Sequence, residues 1–313
     1  MDPGVDAGLQ ERFEVLRDET MGLRNILEKH GPEIVAIATR GRVPTAAALM
    51  DQLPRLEIIS NFGVGYDSVD VQAAARRGVM VTNTPNVLND EMGDFTVGLL
   101  IATIRRLPQA DRYIREGRWK PGAEFPLGLS LRARKIGIAG MGRIGKVVAK
   151  RLSGFDLPIA YCGRKKQPGL SYDYHPDIVS LAKAVDVLIV ILPGGPQTKH
   201  AVNAEVLAAL GPNGIFINVA RGSVADEAAL IEALQSGKIA AAGLDVFANE
   251  PNVPEALLAM DNAVVLPHIG TATHHTRGLM RQLVIDNVVS WFEGKGAITP
   301  VPETLSVQRK SGG

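Results

Sequence analysis

K-I-G-I-A-G-M-G-R-I-G-K-V-V-A-K, residues 135–150, decides how this chain folds. Ile136, Ile138 and Ala139 make a short apolar run of the kind a buried parallel strand needs. Gly140, Gly142 and Gly145 follow at once. Ile144, Val147, Val148 and Leu152 then recur at helical spacing, with Lys146, Lys150 and Arg151 placed to face water. Strand, glycine turn and helix are the context in which G-x-G-x-x-G marks a dinucleotide site. Gly140 permits the tight turn, Gly142 the approach of a pyrophosphate, and Gly145 close packing of helix on strand. Arg143 and Ile144 open the helix whose unpaired N–H groups would meet the phosphate, so both join the expected cofactor-binding set.

Composition frames the rest. With 313 residues the chain has room for two domains with sizeable cores, and its 46% hydrophobic content is that of a globular protein. A net charge of +1, without blocks of like charge, argues against a nucleic-acid surface. No apolar run approaches the ~18 residues of a membrane span. The opening M-D-P-G-V-D lacks the pattern of a secretory signal. Cys162 has no second cysteine to pair with, which suits a reducing cytoplasm. H-x-x-x-H spacing is absent, the adjacent His274 and His275 point apart on a helix, and no metal site is expected.

Outward from the glycine motif the pattern alternates. Upstream, residues 13–16 read as a strand. Strands at 34–38, 56–59 and 79–81 are separated by helices at 45–52 and 69–77. A long helical stretch, 89–116, is broken by Pro108. Downstream come strands at 159–162, 185–192, 215–219, 239–244 and 263–266, with helices at 203–210 and 225–235 and a final amphipathic helix at 274–292. This is the β-α-β rhythm of parallel sheets. The expectation is an α/β protein of two Rossmann-like or flavodoxin-like parallel-sheet domains.

Ligands of open α/β sheets bind beyond the carboxyl ends of the strands. Three segments of the second unit place ionisable residues there: I-N-V-A-R-G-S-V with Arg221, G-L-D-V-F-A-N-E-P with Asp245 and Glu250, and V-V-L-P-H-I-G-T with His268. Singly, each also reads as a surface charge, a helix-starting acid or a loop histidine. Together, behind a nucleotide loop, they read as a site. Transfer of a hydride to a substrate carbonyl needs a hydride donor, a proton donor and an anchor for the substrate. Arg221 offers a planar, permanently charged fork, and His268 can give a proton as imidazolium. A carboxylate at Glu250 would favour the charged ring and orient it. In the first unit, Gly63-Val64-Gly65 can form an anion nest, with Val64 and Gly65 offering backbone N–H groups to a substrate carboxylate. An ordinary turn is the alternative. Arg42 reads either as a second pocket residue or as a solvated charge.

An NAD-selective unit usually ends its second strand with an acid that holds the ribose hydroxyls. Here that strand ends I-A-Y-C-G-R-K-K-Q, with Cys162 about where the acid would be. Arg164, Lys165 and Lys166 follow, and Asp173 lies too far on to substitute. A carboxylate would repel a 2′-phosphate and this cluster would attract one, which points to NADP(H). Cys162 reads as a small packing residue.

Nearly the whole sequence resembles the D-isomer-specific 2-hydroxyacid dehydrogenases. Within them it looks most like the NADPH-preferring glyoxylate/hydroxypyruvate reductases, through F-P-L-G-L-S-L at 125–131 and N-F-G-V-G-Y-D at 61–67. The resemblance implies that Arg221, Glu250 and His268 form a catalytic triad, with Arg221 and His268 also meeting the substrate. It implies that Asp245 holds the nicotinamide carboxamide and that Thr198, in L-P-G-G-P-Q-T, lies on a loop lining the cofactor. It further implies a nucleotide domain, residues 96–279, inserted into a substrate domain made of 1–95 and 280–313. Hinges would fall near 92–98 and 270–280, with Asp94 a structural or capping residue. A homodimer would form largely through the nucleotide domain, with residues 89–118 embracing the partner. Trp119 reads as core packing, or as an aromatic crossing to the other subunit. Members of the family usually open with an apolar strand that this chain lacks, so its first sheet is expected to lose or replace a strand. The rival functional readings are a nucleotide-sensing corepressor on the same fold and another dehydrogenase, such as a phosphoglycerate-dehydrogenase-like enzyme.

Overall fold

The computed structural model describes residues 2–41 and 44–309; Arg42 lies outside them. The chain divides into two compact units. One is built from residues up to Leu88 together with those from Ala272 onward, and the other is Asn89–Thr271.

The first unit holds a parallel sheet, β1 (Ala36–Thr39), β2 (Ile58–Asn61) and β3 (Met80–Thr82), in that spatial order. Ile58 stands in register with Ala36 on one side and Met80 on the other. β2 is buried along its whole length, as a central strand covered on both faces must be. The helix His274–Phe292 packs on it and buries Met280, Val284, Val288 and Trp291, a stripe at helical spacing. Trp291 Nε1 donates to Glu57 at 3.1 Å.

Among the described residues no strand precedes Ala36, so the 13–16 reading was wrong. Pro3–Gln10 forms a helix instead, with Asp2 as N-cap and proline in the first turn. Gly4 and Gly8 let it lie close on the C-terminal helix, where added Cβ atoms would come within 2.6 Å of Arg281 and Ile285 side-chain atoms. Phe13 is engaged by Phe292, ring centroids 5.4 Å apart, rather than by a sheet edge.

The second unit is built on seven parallel strands in the order β10-β9-β8-β7-β4-β5-β6. These are β4 (Ile136–Ala139), β5 (Ile159–Cys162), β6 (Asp173–His175), β7 (Val187–Val190), β8 (Ile215–Asn218), β9 (Ala241–Leu244) and β10 (Ala263–Val265). Winding proceeds outward from β4 in one direction to β6 and from β7 in the other to β10. The strand order therefore reverses between β4 and β7, where a doubly wound sheet opens its ligand crevice. β4, β5, β7, β8 and β9 are buried throughout and carry the core, with Leu181, Leu188, Phe216 and Leu244 among its members. β6, D-Y-H, was not foreseen because a polar edge strand has no apolar alternation to announce it.

The long helical stretch is two helices, Asn89–Arg105 and Leu107–Arg115. The break falls at Arg106, whose φ of 53° is left-handed, and Pro108 lies in the first turn of the helix that follows. Asn89–Arg105 lies against Arg143–Leu152, approaching so closely at Gly93 that a Cβ there would be 2.5 Å from Val147. Arg151 ties the pair together through Asp90 and Asp94, which gives Asp94 an ion-pairing role rather than a capping one. No helix among the described residues is long and apolar enough to cross a membrane.

Candidate active site

The glycine loop joins β4 to the helix Arg143–Leu152 at the switch point. Gly140 has φ 106°, and a Cβ on it would lie 2.4 Å from the Ile191 carbonyl oxygen, which belongs to the loop leaving β7. Gly145 carries the second steric demand, since a Cβ there would be 2.2 Å from Gly140 O. At Gly142, the helix N-cap, an added Cβ meets nothing within 4 Å, and no side chain caps the helix. The cradle thus has two positions closed to side chains by the fold and one open face beside uncapped helix N–H groups. That fits a pyrophosphate. Arg143 and Ile144 form the first helical turn.

Thr198 sits in the loop leaving β7, beside this cradle in sheet order. Its hydroxyl donates to Pro193 O at 2.6 Å and holds that loop in shape. At the end of β5, Cys162 is buried, and burial, aided by the Asp177 charge, pushes its thiol up to about 12. Arg164, Lys165 and Lys166 follow it, all exposed.

The ionisable residues at the ends of β8, β9 and β10 converge within the same unit. His268 Nδ1 lies 2.8 Å from Glu250 Oε2. The other carboxylate oxygen accepts the Phe247 N–H at 3.1 Å. Burial works to raise the Glu250 pKa, but the hydrogen bond and charge of His268, the Phe247 N–H and the Arg221 charge hold it below the usual carboxylate range. The two side chains remain 47% and 36% exposed in this chain, so a reactant can reach them.

Each member is fixed by its backbone. Arg221 begins a 3₁₀ turn, Gly222–Val224, that is pressed against the loop after β9. A Cβ on Gly222 would fall 1.9 Å from the Phe247 carbonyl carbon, so the Arg221 and Glu250 loops can meet this closely only with glycine there. Asn218, buried at the end of β8, closes the turn: Nδ2 donates to Arg221 O at 3.1 Å and Oδ1 accepts Ala220 N–H at 3.0 Å. His268 has φ 55°, a left-handed conformation that is uncommon for a side chain of this size. Asp245 accepts the Ile269 and Gly270 N–H groups, one on each oxygen. Burial pushes its pKa up against the pull of those two N–H groups.

Sequence reasoning passed over Asn218 and Gly222. The signal was the N-V-A-R-G that brackets Arg221, where an amide able to serve two backbone groups ends a strand.

Val64 and Gly65 lie in the other unit, in the loop after β2. Three consecutive carbonyls of this loop are engaged: Asn61 Nδ2 donates to Gly63 O and Gly65 O, and Asn83 Nδ2 to Val64 O at 2.8 Å. The Val64 and Gly65 N–H groups have no acceptor recorded among the described residues, the arrangement an anion nest requires. Trp119 is 70% exposed, so the core-packing reading was wrong.

Residues 97–270 match the family model described as the D-isomer specific 2-hydroxyacid dehydrogenase, NAD binding domain. The chain is 43% identical to a hydroxyphenylpyruvate reductase of Plectranthus scutellarioides, over 95% of each. It is likewise 43% identical to glyoxylate/hydroxypyruvate reductase A of Arabidopsis thaliana, over 94% of each. An NADPH-dependent glyoxylate/hydroxypyruvate reductase of Sinorhizobium meliloti, in complex with NADP and malonate, superposes with a TM-score of 0.92 at 50% identity, covering 99% of this chain and 97% of that one.

Proposed function

From a chain that belongs to the D-isomer-specific 2-hydroxyacid dehydrogenases, we propose an NADPH-dependent reductase of glyoxylate, hydroxypyruvate and similar small 2-keto acids, yielding D-2-hydroxy acids. The observation that carries it is the 2.8 Å His268–Glu250 pair with the Arg221 charge beside it, in the unit that also holds the glycine cradle. The reductases named above, at 43% and 50% identity, point the same way and leave the corepressor reading without support of its own.

Bound reduced nicotinamide supplies the hydride. Arg221 pairs with the substrate carboxylate and polarises the keto group, which increases the positive character of the carbon that is attacked. His268 as imidazolium donates a proton to the keto oxygen as charge develops there. Glu250 stabilises the charged ring and fixes its plane. The Val64 and Gly65 N–H groups serve the substrate carboxylate. The exposed Arg164 and Lys165, with no acid at the end of β5, take the 2′-phosphate, while Thr198 and Asp245 shape the nicotinamide side.

The reading includes a homodimer and a cytoplasmic setting. Leu107, Ile114, Trp119 and Leu127 are 49–96% exposed along 107–127, an apolar surface suited to a second copy. Sedimentation at micromolar concentration with only a ~33 kDa species would contradict the dimer. The function itself is tested by mixing the protein with NADPH and a panel of 2-keto acids and following nicotinamide absorbance. No turnover above background with any of them overturns it.

A further inference from the structure

The basic turn that follows β5 is built against its own charge. Arg164, Lys165 and Lys166 are consecutive and exposed, and adjacent like charges on a free loop would splay apart. Three hydrogen bonds prevent this. Tyr174 on β6 donates its hydroxyl to Gly163 O at 3.3 Å, where the turn begins. Tyr161 on β5, fully buried, accepts the Gln167 N–H at 2.8 Å, where it ends. The two tyrosine rings pack together with centroids 5.4 Å apart, so both ends rest on one support.

The third bond leaves the turn altogether. Gln167 Nε2 donates to the carbonyl of Met141 at 2.6 Å, and Met141 is the residue between Gly140 and Gly142 in the glycine loop. In a trans peptide the C=O and the following N–H point in opposite directions. Holding Met141 O toward Gln167 therefore turns the Gly142 N–H away from the basic turn, to the open side of the cradle. One side chain links the segment suited to a 2′-phosphate with the segment suited to a pyrophosphate. Those two anions sit at a separation fixed by the adenosine between them, so the protein gains most by holding its two sites at a matching separation before binding.

We propose that Gln167 is a positioning residue for cofactor selection, registering the basic turn against the glycine loop so that both anionic groups of NADP(H) are met at once. The inference rests on the NADP(H) reading above. NAD(H) lacks the 2′-phosphate and gains from only one half of this arrangement. Loss of the link should cost NADP(H) more than NAD(H).

Equilibrium binding of NADP⁺ and NAD⁺, by calorimetry and without turnover, tests this in wild type, Gln167→Met and Tyr161→Phe. Methionine keeps the length and loses the donor; phenylalanine keeps the ring and loses the acceptor for the Gln167 N–H. The NADP⁺ preference should fall about three- to tenfold in Gln167→Met, the scale of one hydrogen bond. Tyr161→Phe should lower it in the same direction, and serves if the first variant does not fold. Adding Gln167→Met to Arg164→Ala/Lys165→Ala should bring little further loss of preference, since the cations it positions are gone. An unchanged preference in both single variants, or equal weakening of both cofactors, overturns the inference while the NADP(H) reading stands. A wild type that binds NAD⁺ as tightly as NADP⁺ overturns both.

Discussion

Asp245 anchors the turn that carries His268: its carboxylate oxygens accept the N–H groups of Ile269 and Gly270 at 2.8 and 2.9 Å. The histidine is thereby held at φ 55°, a strained backbone that needs outside support. In the proposed reaction proton donation depends on where the ring stands, and the backbone that carries the ring is held by this buried carboxylate.

Asp245→Asn tests that dependence. An amide can accept with its oxygen, but its NH₂ would face one of the two N–H groups, and the turn would relax. Turnover should fall about a hundredfold, the scale of a misplacement near 1 Å, and by clearly more than the affinity for NADP⁺ falls. Should cofactor binding weaken in step with the rate, Asp245 acts through the nicotinamide alone and not through the His268 turn.

Gly222→Ala addresses the contact between the Arg221 and Glu250 loops. The new Cβ would lie 1.9 Å from backbone of Phe247, which cannot swing aside as a side chain could. Overpacking of this kind costs about 1–3 kcal/mol, so the thermal midpoint should drop by several degrees, and Arg221 and Glu250 should be driven apart. A variant with wild-type Tm and wild-type kcat would show that the two loops are not rigidly joined.

In the proposed NADP(H) reading, cofactor choice depends on Arg164 and Lys165. With both changed to alanine, the KM for NADPH should rise far more than that for NADH, by roughly ten- to hundredfold, since charge-assisted bonds to a phosphate contribute ~1.5–3 kcal/mol. A wild type that already prefers NADH refutes the reading of this turn.

The parts legible in the sequence were those in which one residue type is forced. Gly140 and Gly145 admit no side chain, and the strands around them are buried on both faces, so motif and apolar runs announced themselves together. Arg221, Glu250 and His268 could be grouped because each follows a buried strand of the same sheet. What stayed hidden depends on partners distant in sequence. Asn218 and Gln167 are unremarkable amides until the fold shows which carbonyls they reach. The N-terminal helix declares itself only through the C-terminal helix it covers, by way of Arg281 and Asp2. Trp119 looked like a core residue because size and apolarity alone do not decide burial.

The final prediction concerns Glu250→Gln. The Glu250 carboxyl, although burial works to raise its pKa, is held low chiefly by the hydrogen bond and charge of His268. The carboxylate therefore stays charged through the neutral range and holds the ring by a charge-assisted hydrogen bond. Because the Glu250 pKa is depressed, the pair's contribution is fully present above the ordinary carboxylate range and is lost only as pH falls through the depressed value. Glutamine keeps a hydrogen-bond partner for the ring and removes the charge. Keto-acid reduction in the variant should therefore be slower and should lose the acid limb that wild type shows as Glu250 becomes protonated. Oxidation of the hydroxy acid, run at the same site, should lose the same limb. Both changes must appear together, because both report the same carboxylate. If the two profiles stay where they were, the 2.8 Å contact between Glu250 and His268 does not govern proton transfer, and the relay assignment fails even though the fold stands.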